Sequence, residues 1–216
     1  MPEQTSALRL AVFASGDGSN FGAMLKAIDA GTLDAEPVLL ITDRPRIGAI
    51  EKAEDRDIPV AVLRPADFET EGAVAEAFIN TLADYGAEFI ALAGYLKKIP
   101  TGVVDAFKHR MLNIHPALLP SFGGKGMYGR RVHEAVLEIG CRVTGVTVHL
   151  VDSEYDTGPI VLQEPAAVRQ DDTPRSLAAR VLQLEHRLYP EALQLFAEGR
   201  VTVDGQRVHI RKGERT

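Results

Sequence analysis

The sequence predicts an α/β fold: a mostly parallel sheet with helices on both faces, then antiparallel strands and a terminal hairpin. Three observations carry this. Short apolar runs alternate with helical patterns through residue 110, and repeated βα units build a parallel sheet through right-handed crossovers. Beyond residue 115, two apolar runs flank a short acidic turn, an arrangement that pairs neighbouring strands antiparallel. Near the C-terminus, Asp204-Gly205 sits between alternating apolar residues, a strong short-range signal of a hairpin.

The elements follow in order. Strands are expected over 8–14, 37–41, 60–63, 88–93 and 111–114. Helices are expected over 20–30, 48–56, 71–85 and 101–107, where Ala, Leu and Glu favour the helix. A glycine-rich stretch leads to a helix over 131–139 and then to strands over 144–151 and 160–168. Thr173 is placed to cap a long helix with Pro174 at its first position, and Leu177, Val181, Leu184, Leu188 and Leu195 recur along it. No repeat, low-complexity tract or linker interrupts the chain. The reading is one domain over 1–216, with an N-terminal half of about 8–110 and a C-terminal half of about 111–216.

The chain has 216 residues, 45% apolar and 25% charged, ordinary values for a folded globular protein with a substantial core. The net charge of -6 comes without the basic stripe that nucleic acid requires, so no nucleic-acid partner is expected. The lone Cys141 precludes an intrachain disulfide and fits a reducing compartment. Between Gly140 and Arg142, near an expected helix end, it reads as a packed side chain rather than a nucleophile. The opening Met-Pro-Glu-Gln-Thr-Ser lacks the basic start and apolar core of a leader. No apolar run approaches the roughly 18 residues of a membrane span. A cytoplasmic protein with no membrane partner is expected.

Met111-Leu112-Asn113-Ile114-His115-Pro116 is the most informative stretch. The two-residue period of a strand sends Asn113 and His115 to one face, and Pro116, lacking an N–H, ends the strand. In an open α/β sheet such strand ends are where ligands bind. Further along, Val148-His149-Leu150-Val151 runs into Asp152-Ser153-Glu154-Tyr155-Asp156-Thr157-Gly158-Pro159, a turn able to deliver a carboxylate to the same place. His149 is expected to be packed or solvent-facing rather than catalytic.

Ser15-Gly16-Asp17-Gly18-Ser19-Asn20 joins the first strand to the first helix, where backbone N–H groups and the helix dipole make a phosphate site. A dinucleotide fingerprint wants Gly or Ala where Phe21 stands, and Gly22 comes one place late. Asp43 does fall near the position of a ribose-binding acid. A single phosphate held by the N–H groups of Gly18, Ser19 and Asn20 is the better fit. Glycines needed for nothing more than a tight turn are the plainer alternative.

These motifs, together with Leu92-Ala-Gly-Tyr95-Leu96-Lys97-Lys98-Ile99 and Glu185-His-Arg-Leu-Tyr-Pro190, resemble the phosphoribosylglycinamide formyltransferases, folate-dependent enzymes of purine synthesis. The likeness extends over most of the chain. It implies the Rossmann-like formyltransferase fold, with a phosphate-binding N-terminal half and a folate-binding, catalytic C-terminal half. It implies transfer of a formyl group from 10-formyltetrahydrofolate, as co-substrate, to the amine of glycinamide ribonucleotide. By the same resemblance Asn113, His115 and Asp156 are catalytic, Gly18, Ser19 and Asn20 hold the substrate phosphate, and Glu185 binds the ribose. The implied folate pocket is lined by Tyr95, Leu96, Lys97, Lys98 and Ile99 and by the turn of Val151, Asp152, Ser153, Glu154, Tyr155 and Asp156. No metal is implied, and a homodimer is left open. Two departures stand out: Lys97-Lys98 replaces an Arg followed by an apolar residue, and Thr42-Asp43 replaces a more usual Ser-Asn.

Formyl transfer to an amine passes through a tetrahedral adduct with a negative oxygen, and stabilising that oxyanion is usually the largest contribution to catalysis. An Asn113 N–H and a protonated His115 suit this role, with Asp156 keeping His115, or a bridging water, oriented and charged. The histidines at 109, 115, 133, 149, 186 and 209 show no zinc spacing, and no Gly-x-Ser-x-Gly elbow occurs. The glycine-rich stretch 121–131 is expected to close over substrate as a mobile loop, with a plain surface loop as the alternative. Methionyl-tRNA formyltransferases, sugar-nucleotide formyltransferases and formyltetrahydrofolate hydrolases share the same triad. The first usually carry a C-terminal nucleic-acid-binding barrel and the last an N-terminal regulatory domain, neither of which is expected here. From a different class, an idle phosphate- or folate-binding protein is the competing reading.

Overall fold

The computed structural model describes residues 7–213; residues 1–6, on which the leader reading rests, lie outside them. The elements run β1 (Leu8–Ala14), α1 (Ser19–Asp29), β2 (Ala35–Thr42), α2 (Gly48–Glu54), β3 (Val60–Val62), α3 (Glu71–Asp84), β4 (Phe89–Leu92), α4 (Thr101–Ala106) and β5 (Met111–His115). They continue with α5 (Arg130–Ile139), β6 (Val143–Leu150), β7 (Ile160–Ala167), α6 (Pro174–Ala197), β8 (Val201–Asp204) and β9 (Arg207–Ile210). One 3₁₀ turn, Pro65–Asp67, was not anticipated.

Seven strands form one sheet in the order β3-β2-β1-β4-β5-β6-β7, and β8 and β9 pair separately. The first five strands of the chain are parallel, whereas β6 runs antiparallel to β5 and β7 antiparallel to β6. The chain moves outward from β1 to β3, then returns to lay β4 on the other side of β1. Such a switch point opens a crevice at the carboxyl ends of the strands. Pro37 is tolerated inside β2 because the β1–β2 register shifts between Leu10 and Ala11.

Alternation along β1 explains its unbroken apolar character. Leu10, Val12 and Ala14 pack into one core cluster with α1, α2, α5 and α6, while Ala11 and Phe13 pack into another with α3 and α4. A strand covered on both faces needs apolar side chains at every position. Full burial of a side chain such as Phe13 or Phe78 stabilises the fold by about 1.5–3 kcal/mol.

Helix α6 starts with a reciprocal cap: Thr173 Oγ1 accepts from the Ser176 N–H at 3.1 Å, and Ser176 Oγ accepts from the Thr173 N–H at 2.9 Å. The helix continues through Pro190. Just before it, the buried Tyr189 hydroxyl lies 2.9 Å from the Leu112 carbonyl and 3.1 Å from the Leu92 carbonyl. It ties α6 to β4 and β5 beneath the crevice. Among the described residues no helix is long and apolar enough to cross a membrane.

Candidate active site

The end of β5 sets Asn113 opposite His149 and His115 opposite Thr147 in the β5–β6 register. Asn113 Nδ2 lies 3.1 Å from His149 Nε2 and donates to Asp156 Oδ1 at 3.4 Å. His149 Nδ1 is 2.8 Å from the Leu150 carbonyl. A carbonyl can only accept, so Nδ1 carries a proton, and in that tautomer Nε2 accepts from the Asn113 amide. The Leu150 carbonyl thus settles the tautomer of His149, and His149 settles which way the Asn113 amide points.

His115 Nε2 lies 2.8 Å from the Phe122 carbonyl and therefore carries its proton. That leaves Nδ1 facing Asp156 Oδ2 at 3.6 Å. Burial pulls the His115 pKa below its ordinary value, and the opposing effects of Asp156 and the Phe122 carbonyl do not make up the loss. Desolvation of the imidazolium thus works against the expected role of Asp156 in keeping His115 charged.

Burial also pushes up the carboxyl of Asp156, but the neighbouring His149 and His115 rings and the Gly124 N–H together hold its pKa below the usual carboxylate range. The Gly124 N–H donates to Oδ2 at 2.9 Å. Asp156 reaches this position from a left-handed backbone, φ 59. Its turn is shaped by Asp152, whose carboxylate accepts from the Thr157 hydroxyl at 2.7 Å and the Glu154 N–H at 3.1 Å. Gly158 closes it, since a Cβ there would lie 1.9 Å from the Leu150 carbonyl oxygen. After β5, Thr147 Oγ1 donates to the Ala117 carbonyl at 2.7 Å and accepts from the Leu119 N–H at 3.0 Å, pinning the exit of the strand.

At the start of α1, Gly18 has φ 67 and no side chain caps the helix. Its Cβ would lie 2.7 Å from that of Ala49. Asn20 Nδ2 donates to Glu185 Oε2 at 2.7 Å. Burial raises the Glu185 pKa, and the Asn20 bond opposes the rise.

A cleft of about 460 Å³ gathers these groups. Asn20 and Glu185 line it, as do Asn113, His115 and Asp156, all five residues from Tyr95 to Ile99 and all five from Val151 to Tyr155. Gly18 and Ser19 do not line it; they stand beside it at the start of α1. Lys98 Nζ sits 6.0 Å from the centre of the Tyr155 ring, so the two expected folate walls meet there. The stretch 121–131 lines the cleft through Gly124 to Gly129 and Arg131, and Phe122 and Gly124 anchor it to His115 and Asp156. A second cleft, about 630 Å³, lies at the opposite ends of the strands, where its arginines, Arg9 and Arg56, already pair with Glu36 and Asp29.

His149 is the site residue that sequence reasoning missed. It is packed, as one arm of the expectation had it, at 2% exposure, but packed against Asn113 and 3.6 Å from Asp156. The available signal was an imidazole in an otherwise apolar run. Its partner depends on the β5–β6 register, which no local pattern specifies. Among the described residues no group of His, Cys, Asp and Glu is arranged to hold a metal ion.

Residues 8–193 match the formyl transferase family. The chain is 47% identical to the chloroplastic phosphoribosylglycinamide formyltransferase of Arabidopsis thaliana, over 89% of this chain and 66% of that protein. It is 38% identical to the phosphoribosylglycinamide formyltransferase of Bacillus subtilis (strain 168), over 86% of this chain and 93% of that one. The chain spans about two thirds of the length of the plant relatives it matches. Glycinamide ribonucleotide transformylase 1 from Symbiobacterium toebii superposes with a TM-score of 0.91 at 36% identity, over 98% of each chain. A formyltetrahydrofolate deformylase from Pseudomonas syringae pv. tomato shares the fold, with a TM-score of 0.84 at 22% identity over 95% of this chain and 66% of that one. A family match running from β1 into α6, and structural agreement over nearly the whole length, lead to one conclusion: the chain belongs to the formyl transferase family.

Proposed function

We propose that this protein transfers the formyl group of 10-formyltetrahydrofolate to the amine of glycinamide ribonucleotide, giving formylglycinamide ribonucleotide and tetrahydrofolate in de novo purine biosynthesis. The observation that carries the reading is the convergence of Asn113, His115 and Asp156 in one cleft with Asn20, Glu185 and the two expected folate walls. Gly18, Ser19 and Asn20 take the phosphate on their N–H groups, Glu185 takes the ribose hydroxyls, and the segments 95–99 and 151–155 flank the folate. The phosphate-binding half is 8–110 and the folate-binding, catalytic half is 111–216, within one domain.

The chemistry follows from the protonation states. The amine nitrogen attacks the formyl carbon, and the carbonyl electron pair moves to oxygen. Asn113 Nδ2 donates to that oxyanion, giving up its long contact with Asp156. His115 Nδ1, bare and beside Asp156, accepts the proton lost by the amine. The resulting imidazolium is held between the Phe122 carbonyl and the Asp156 carboxylate. As the adduct collapses, the bond from carbon to the folate nitrogen breaks and that nitrogen takes the proton from His115. One group therefore serves as base and then as acid, with no net proton change.

The test is turnover of formyl folate by the purified chain with glycinamide ribonucleotide, using His115→Ala as control. Amine-dependent turnover that disappears in the control supports the reading; folate loss without the amine points to a deformylase instead. Binding of both ligands without turnover returns the idle binder. A cytoplasmic setting belongs to the same proposal, supported by the lone Cys141. Sedimentation of the purified chain reads whether it forms the homodimer that the resemblance leaves open.

A further inference from the structure

Lys52, on α2, belongs to none of the groups described above. Its ammonium donates to the Asp17 carbonyl at 2.9 Å and to the Gly48 carbonyl at 3.2 Å. The stem reaches these acceptors past the first turn of α1 beside Gly22, where a Cβ would lie 3.5 Å from Lys52 Cε. The start of α2 holds the same loop elsewhere too: the Ala49 N–H donates to the Gly16 carbonyl at 3.3 Å, and Gly18 is pressed against Ala49.

A trans peptide is planar, so its C=O and N–H point in opposite directions. Fixing the Asp17 carbonyl on Lys52 therefore turns the Gly18 N–H away from that ammonium. Among the described residues, the N–H groups of Gly18, Ser19 and Asn20 donate to no protein acceptor. Lys52 also brings a positive charge to the loop without presenting its side chain to the cleft lining.

We propose that Lys52 is a positioning residue for the substrate phosphate: by holding the Asp17 carbonyl it aims the Gly18 N–H at the anion and adds a cation behind the loop. This rests on the reading of Gly18, Ser19 and Asn20 as the phosphate site.

The experiment is steady-state kinetics of the wild type, Lys52→Met and Lys52→Arg with two amines, glycinamide ribonucleotide and its dephosphorylated nucleoside. The wild type should favour the phosphorylated amine. Lys52→Met should raise KM for that amine by roughly tenfold, the scale of one charge-assisted hydrogen bond, with kcat and the KM for formyl folate within about twofold. Kinetics with the nucleoside should not move, and Lys52→Arg should recover most of the loss. Full retention of the phosphate preference in Lys52→Met overturns the proposal, as does an equal loss with both amines, which would mark a general structural role. A wild type with no preference for the phosphate removes the phosphate-site reading and this proposal with it, and that comparison is read before any variant.

Discussion

Asn113 and His149 face one another across β5 and β6, with the amide nitrogen 3.1 Å from the imidazole Nε2. Because the Leu150 carbonyl occupies the other ring nitrogen at 2.8 Å, His149 acts on Asn113 as an acceptor that keeps the amide hydrogens directed into the cleft. Replacing His149 by Leu frees the amide to rotate and present its oxygen. Loss of an oxyanion donor costs about a hundred- to thousandfold, so His149→Leu should lower kcat by roughly tenfold to a hundredfold, a partial form of that loss, with KM for both substrates little changed. An unchanged kcat would remove His149 from the machinery.

Asp156→Asn keeps the size of the side chain but removes the charge that faces the His115 ring. Its turn, built by Asp152 and Gly158, should persist, so substrate affinity should hold within about threefold while turnover falls by about a hundredfold or more. Isothermal titration separates the two effects. Turnover equal to the wild type would mean that the proton passes through some other group.

The pH profile follows from His115. It acts as a base and must be neutral in the free enzyme, and burial has lowered its pKa below the ordinary 6.5. Activity should therefore persist as pH falls through 6.5 and decline, with a slope of one proton, only below it. Measuring log kcat/KM against pH checks this, and an acid limb centred above 6.5 would contradict the proposed role.

Stability should also depend on pH, through buried histidines. His133 is 4% exposed, its Nδ1 has no partner among the described residues, and burial followed by the nearby His115 lowers its pKa. A base with a depressed folded pKa binds protons more readily when unfolded, so stability falls as pH drops from 6.5 toward the folded value. His115 and His186 act in the same direction. Thermal melts at about pH 7.5 and 5.5 should show a smaller loss of Tm in His133→Leu than in the wild type. Identical losses would assign the effect elsewhere.

Tyr189→Phe should cost about 1–3 kcal/mol, because the Leu92 and Leu112 carbonyls lose the buried hydroxyl that serves both. Denaturant titration reads the change directly. A neutral substitution would mean that the two carbonyls find other donors.

Much of this protein is written locally. Pro116 ends β5 one residue beyond the expected limit, directly after His115, because a residue without an N–H cannot continue the ladder. Thr173 and Pro174 start α6 where the capping chemistry places it. Asp204-Gly205 turns the β8–β9 hairpin. Alternation put Asn113 and His115 on one face, and the acidic turn was recognisable as the source of a carboxylate. These features depend on residues a few positions apart, and so their spacing is visible in the chain itself.

What the sequence alone determined, then, was the class of fold, the motifs of the site and the family they resemble. Tertiary structure decided how those motifs meet. The register of β5 against β6 made His149 the partner of Asn113, and packing of α2 on the α1 loop brought Lys52 to Asp17. Burial lowered the His115 pKa against the pull of Asp156. Register, helix packing and desolvation are set by contacts between segments far apart in the chain, so they come into being only when the sheet closes around its two cores.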